Sequence, residues 1–133
     1  MYRCASALSQ ITSAAVLALA FCMPAAAQVQ RNFPPNALRG ELIVGESPQV
    51  AVNGVQGSLA PGARIRGQNN MLQMSGSLVG AKLLVHYTLD TAGQVKDIWI
   101  LTAEEAAKRP WPRTIRELEK WEFDFGAQTW SRP

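Results

Sequence analysis

Alternation of apolar and polar residues, interrupted at short intervals by Gly, Pro and Asn, dominates the chain from residue 41 to residue 101. A period of two is typical of β-strands with one buried face. The pattern predicts about six short strands in this region. The strongest covers residues 82–89, where Leu83, Val85, Tyr87 and Leu89 share one side.

Two hairpins organise these strands. Asn53-Gly54 separates β-favouring residues 49–52 and 55–59, and this dipeptide is preferred in type I′ turns because both turn residues need positive φ. Residues 90–93 connect a second pair, 82–89 and 94–101. Both faces of the second pair carry apolar residues, so we expect it to lie centrally and to be covered on both sides.

The period changes after residue 101. Thr102 and Glu105 have the spacing of a capping box, which predicts a short helix over 103–108. Thr114 and Glu117 repeat that spacing and predict a second helix over 115–120. Residues 123–130 indicate a terminal turn or hairpin with aromatic anchors.

The predicted fold is therefore mainly β. We expect a small, mostly antiparallel open barrel or curled sheet of about six short strands, followed by two short C-terminal helices. The alternative is an α+β sheet with helices on one face.

Residues 1–27 have the order of an export signal: Arg3, an apolar run over 11–21, then Pro24 and three alanines. We predict cleavage between Ala27 and Gln28. Residues 11–23 are too few to span a membrane, which needs about 20 apolar residues. We therefore expect a periplasmic or secreted product without a stable membrane anchor.

Cleavage would leave residues 28–133. We expect a flexible or loosely docked arm over 28–40, where Pro34-Pro35 favours an extended conformation, and one β-rich domain over 41–133. Both cysteines, Cys4 and Cys22, belong to the signal, so the mature domain would have no disulfide and would depend on packing. The net charge of +3 falls to +2 without Arg3. This charge is too small to indicate nucleic acid as a partner.

Candidate chemistry is sparse. His86 is the single histidine, so any Ser-His-Asp triad would have to use it. We expect it to be a partly exposed sheet residue. One histidine with scattered carboxylates is a poor basis for a metal site, and no motif predicts a cofactor. Enzymatic activity is therefore not expected, although a small hydrolase of unfamiliar type stays an alternative.

A basic and aromatic set gives the candidate ligand-binding residues. Arg64 and Arg66 share a strand face, and Arg109 and Arg113 flank Trp111. Cations beside aromatic rings are typical of surfaces that bind anions. Two opposing interpretations are that neighbouring glutamates pair with the arginines, and that Trp111 is a packed plug over a core edge.

Several stretches resemble a group of small exported proteins of proteobacteria for which no activity is established. The resemblance is carried by residues 61–67, 69–71, 75–78, 87–90, 93–95, 99–102 and 108–112. It implies an exported single domain and implies no site.

Three functions follow as hypotheses. The first is a non-catalytic periplasmic domain that binds an envelope protein or peptide. The second is a binder of an anionic ligand through the basic and aromatic surface. The third is the hydrolase.

Overall fold

The computed structural model describes residues 30–133. The predicted signal and the cleavage point at Ala27 and Gln28 lie outside these residues. The elements in chain order are β1 (Leu38–Val44), β2 (Gln49–Val52), β3 (Val55–Arg66), β4 (Leu72–Gln73), a 3₁₀ turn (Ser75–Leu78), β5 (Lys82–Leu89), β6 (Val95–Ile100), α1 (Ala103–Ala107), α2 (Ile115–Lys120), β7 (Glu122–Asp124) and β8 (Thr129–Ser131).

Five strands close into a barrel. β1 pairs with β2 and β5, β2 with β3, and β6 with both β3 and β5, while β4 extends the edge of β3. The β3–β6 pair is parallel and the others are antiparallel. The predicted small β barrel is thus confirmed, with the barrel closed and one pair parallel. The connectivity is that of OB-type Greek-key barrels, and it assigns no ligand by itself.

The barrel interior is filled by alternate residues of the strands. On β1, Leu38, Leu42 and Val44 are buried in this interior cluster, and on β5 Val85 and Tyr87 face them across the β1–β5 ladder. The alternation that predicted the strands therefore identifies the inward face. The other buried members are Val50, Leu59, Ile65, Val95 and Ile98.

A second cluster lies outside the barrel, on the opposite face of β5 and β6. We call it the outer cluster, and its buried members are Phe33, Ala37, Trp99, Leu101, Trp111 and Trp130. Segments before β1 and after α1 cover this face. The prediction that the β5–β6 hairpin is covered on both sides is confirmed.

Residues 31–40 pack against the barrel instead of forming the flexible or loosely docked arm that we expected. Arg31 and Phe33 are buried, and β1 begins at Leu38, before the predicted domain start at residue 41. The prolines that suggested a loose arm follow Phe33 directly, and the segment gains its contacts from the aromatic rings of the outer cluster. These contacts join residues distant in sequence, so local composition does not indicate them.

The predicted turns and helix starts are present. Asn53 and Gly54 have φ values of 52° and 80°, as a type I′ turn requires. Thr102 and Glu105 form the expected capping box at the start of α1, and the Thr114 side chain accepts a hydrogen bond from Glu117 N at α2. None of the helices within residues 30–133 has the length and apolar character needed to cross a membrane.

Candidate functional site

An open cleft of about 680 Å³ lies beside the outer cluster, between the outer face of the barrel and the C-terminal segments. We call it the arginine cleft. It is lined by Arg39, Leu84, Arg109, Pro110, Trp111, Arg113, Glu117, Trp121, Trp130 and Arg132. Four guanidinium groups therefore share the cleft with a single carboxylate.

Arg39 is the buried cation of the cleft. It alternates with Leu38 and Gly40 on β1, so its side chain points away from the barrel interior. Its guanidinium donates to the carbonyl oxygens of Glu105, Ala106 and Lys108, at distances of 2.8, 3.2 and 2.9 Å. These carbonyls belong to the last turn and the C-cap of α1, where Glu105 O also accepts from Lys108 N at 3.2 Å. Arg39 therefore ties the end of α1 to the barrel.

The surroundings of Arg39 disfavour its protonated form. Burial, followed by the like charges of Arg109 and Arg113, lowers the pKa of Arg39 from its ordinary value to about 10. The group stays protonated at neutral pH. Arg109 and Arg113 lower this pKa because their positive charges lie in the same cleft as Arg39.

Trp111 forms the wall between Arg39 and the outer cluster. Its indole Nε1 donates to the carbonyl oxygen of Ala37 at 3.0 Å, and its ring stacks on His86 with centroids 4.1 Å apart. The Arg39 guanidinium lies 5.5 Å from the centre of the indole. The interpretation of Trp111 as a packed plug is confirmed, and the same packing fixes the cleft wall.

Arg109, Arg113 and Arg132 are the exposed cations of the cleft. Within residues 30–133 the ion pairs are Arg31–Glu105 and Lys82–Glu41, and neither uses these three arginines. Glu117 accepts a hydrogen bond from the backbone N–H of Arg113 at 2.8 Å, and Arg132 lies over Trp121 at 5.2 Å. The expectation that adjacent glutamates pair with the cleft arginines is therefore not met in the described region.

The five predicted ligand-binding residues divide into two sets. Arg109, Trp111 and Arg113 meet in the arginine cleft. Arg64 lies on β3 and lines a different groove, and Arg66 lines neither. The division follows from the fold, because Arg64 and Arg66 lie on β3 whereas Arg109 and Arg113 lie between α1 and α2.

Sequence reasoning missed Arg39, Trp130 and Arg132. Arg39 falls within residues 28–40, which we expected to form an arm. The alternation of apolar and polar residues from Leu38 to Leu42 is nevertheless typical of a strand. Trp130 and Arg132 form a short aromatic-basic pattern near the end of the chain, similar to that at residues 109–113. Their arrival at the same cleft depends on the β7–β8 hairpin (Phe123 opposite Trp130), which is a tertiary feature.

The expectation of a partly exposed His86 is wrong. Its side chain is fully buried on the outer face of β5, between Phe33 and Trp111. Burial, then the charges of Arg39 and Arg31, lowers the pKa of His86 to about 2. The imidazole is thus neutral and shielded from solvent, which is unsuitable for a general base acting on a substrate.

Residues 30–133 contain no cluster of three or more His, Cys, Asp or Glu side chains arranged to hold a metal ion. No protein-family model, curated protein or solved structure matches the chain. The arginine cleft therefore has to be interpreted from its own chemistry.

Proposed function

We propose that this protein is an exported, non-catalytic binding protein whose arginine cleft holds a ligand with two or more carboxylate or phosphate groups. The observation that carries the proposal is the charge imbalance of the cleft, in which four arginines face one glutamate. Arginine presents a planar fork of donors that suits carboxylate and phosphate oxygens.

Unused hydrogen-bond donors support an acceptor-rich ligand. The guanidinium groups of Arg109, Arg113 and Arg132 are exposed and belong to neither ion pair of the described residues. The one carboxylate in the cleft, Glu117, is engaged by a backbone N–H. The cleft thus offers donors and positive charge in excess of its own acceptors.

The rigid support of the cleft also favours binding. Arg39 is fixed by three carbonyl oxygens, and its backbone N–H donates to Pro112 O at 2.8 Å. The segment that presents Arg109 and Arg113 is therefore fastened to β1. A preformed site loses less conformational entropy on binding than a mobile one.

The test is isothermal titration calorimetry with citrate, pyrophosphate and inositol hexakisphosphate as probes. We expect at least one probe to bind, with an affinity that falls as salt is raised from 0.05 to 0.5 M because salt screens exposed charges. The double variant Arg109→Gln/Arg113→Gln should bind at least about tenfold more weakly, since charge-assisted hydrogen bonds are lost.

Arg116→Gln is the matched control, because Arg116 is an exposed arginine of α2 that does not line the cleft. It should keep the affinity of the original protein. Equal affinity in the double variant, or an affinity that is independent of salt, would refute the anion-binding proposal.

A further inference from the structure

A second concave surface lies beside β3 and β4, and it shares no lining residue with the arginine cleft. This β3–β4 groove has a volume of about 730 Å³. It is lined by Ser47, Pro48, Leu59, Ala60, Pro61, Gly62, Ala63, Arg64, Ile65, Leu72, Gln73, Met74, Ser75 and Gln94. Most of these residues are apolar or small.

We propose that the β3–β4 groove is a docking site for an extended, mainly apolar segment of a partner protein, and that Arg64 receives one carboxylate of that segment. This inference is independent of the anion bound in the arginine cleft. It gives a location to the hypothesis that the protein binds an envelope protein or peptide.

Exposed apolar side chains are the first reason. Leu72 and Met74 line the groove with 65% and 80% of their surfaces exposed, and the adjoining Met71 is 65% exposed. Contiguous apolar surface of this kind is typical of interaction sites in soluble proteins. Methionine is also unbranched and polarizable, so it adapts to the shape of an incoming chain.

An interruption in the pairing of β3 with β6 is the second reason. The β3–β6 register shifts between Leu59 and Arg64, and residues 60–63 have no registered partner in β2, β4 or β6. Pro61 and Gly62 are exposed there. The groove lies over this irregular stretch, and the buried Leu59 and Ile65 on either side of it are among its apolar lining residues.

Charge complementarity indicates what the partner carries. Arg64 is the one charged residue among those that line the groove, it is exposed, and it belongs to neither ion pair of residues 30–133. An occupant that buries this side chain without a carboxylate would pay a desolvation penalty. The fitting occupant is therefore apolar with a single acid.

A second copy of this chain fits less well. In a symmetric dimer the same patch faces itself, so the facing groove would supply no carboxylate to either Arg64 side chain. A long-chain fatty acid also fits less well, because the exposed residues 61–62 and 72–74 leave the groove open to solvent along much of an acyl chain.

The test uses the protein purified from expression of the full chain and a library of fluorescein-labelled nonapeptides. Leu, Val or Ile occupies alternate positions, and the central residue is Asp, Asn or Lys. Fluorescence anisotropy should select Asp peptides that bind at least about tenfold more tightly than their Asn counterparts. Arg64→Glu should reverse the preference in favour of the Lys peptides.

Three variants assign the binding to the groove. Leu72→Gln/Met74→Gln should abolish peptide binding, and both residues are exposed, so circular dichroism should show an unchanged fold. Arg66→Gln, two residues along β3 and outside the groove, should leave binding unchanged. Arg113→Gln in the arginine cleft should also leave it unchanged.

Four results would overturn the proposal. Asp and Asn peptides that bind equally, or a library without any binder, would exclude the carboxylate-bearing segment. Dodecanoate that binds in an Arg64-dependent way while no peptide does would assign the groove to a lipid. A dimer in light scattering that Leu72→Gln/Met74→Gln dissociates would assign it to a second copy.

Discussion

At the scale of single residues, His86 is the most unusual position in the described part of the chain. Both of its ring nitrogens are buried without a hydrogen-bond partner among residues 30–133, and the folded-state pKa is about 2 against an ordinary value of 6.5. The folded protein therefore keeps the imidazole neutral, whereas the unfolded chain protonates it below pH 6.5. Stability is present above pH 6.5 and declines as the pH falls toward 2.

Urea unfolding between pH 7 and pH 5 measures this effect. The contribution of His86 to the slope should approach about 1.4 kcal/mol per pH unit once the unfolded histidine is protonated. His86→Leu should flatten the profile, because no other histidine is present. Thr88→Val, a buried change on the same face of β5, should shift the profile without changing its slope, and an unchanged slope in His86→Leu would contradict the assignment.

Gly40 shows a second residue-scale constraint. A Cβ atom at this position would lie 2.9 Å from Tyr87 Cε1 and 3.1 Å from Val52 Cγ1, which is closer than such atoms pack. Gly40→Ala should therefore destabilise the fold by about 1–3 kcal/mol through overpacking. Thermal unfolding of Gly40→Ala, compared with Gly57→Ala, where the nearest neighbour is 4.0 Å away, tests this expectation.

At the scale of elements, α1 is only five residues long, so its own hydrogen bonds stabilise it little. Two buried arginines hold it on the barrel. Arg39 binds the carbonyls at its C-terminal end. Arg31 pairs with Glu105 and donates to the carbonyl oxygens of Gly67 and Ile100.

Breaking the Arg31–Glu105 pair should be costly. Arg31→Met leaves the partly buried Glu105 carboxylate without its cation, and we expect a loss of about 3–5 kcal/mol in the free energy of unfolding. Lys82→Met breaks the other ion pair, whose side chains are 65% and 49% exposed, and should change stability by less than about 1 kcal/mol. Chemical denaturation of both variants measures the difference, and equal losses would refute it.

The elements themselves were largely predictable, because their signals are local. The Asn53-Gly54 turn, the two capping residues Thr102 and Thr114, and the alternation of β5 each depend on residues within one turn or strand. The burial of Arg31 and His86 was not predictable in this way. Arg31 pairs with Glu105, which is 74 residues away in sequence, and His86 lies between the rings of Phe33 and Trp111, which come from distant segments.

The same distinction applies to the candidate site. Residues 109–113 form a local cluster of charge and aromatic rings, so sequence identified one side of the arginine cleft. Arg39 and Arg132 complete it from β1 and from the end of the chain. Their convergence is set by packing over a sequence separation of about ninety residues, for which a single sequence has no signal.

At the scale of the whole molecule, the question is whether the barrel and the outer cluster are separate cooperative units. The two share β5 and β6, whose faces alternate between them, and Leu118 of α2 packs against both clusters. Such shared elements predict one cooperative transition. A substitution that destabilises the outer cluster should therefore destabilise the barrel to the same extent.

Phe33→Ala tests whether the outer cluster and the barrel unfold together, because Phe33 belongs to the outer cluster and lies in the segment before β1. Phe33 is 3% exposed and packs edge-on to His86, Trp99 and Trp111, so its removal should cost about 3–5 kcal/mol. All four tryptophans lie in or against the outer cluster, so their fluorescence reports on that cluster, while far-ultraviolet circular dichroism reports mainly on the barrel strands.

In a coupled molecule the two signals shift together in Phe33→Ala, as they should in Leu42→Ala, where a fully buried side chain inside the barrel is removed. Two separate units would give a different result. Phe33→Ala would then move the fluorescence transition to lower denaturant and leave the circular dichroism transition in place. Because the arginine cleft is walled by Trp111 and Trp130, a coupled transition also means that the cleft persists as long as the barrel stays folded.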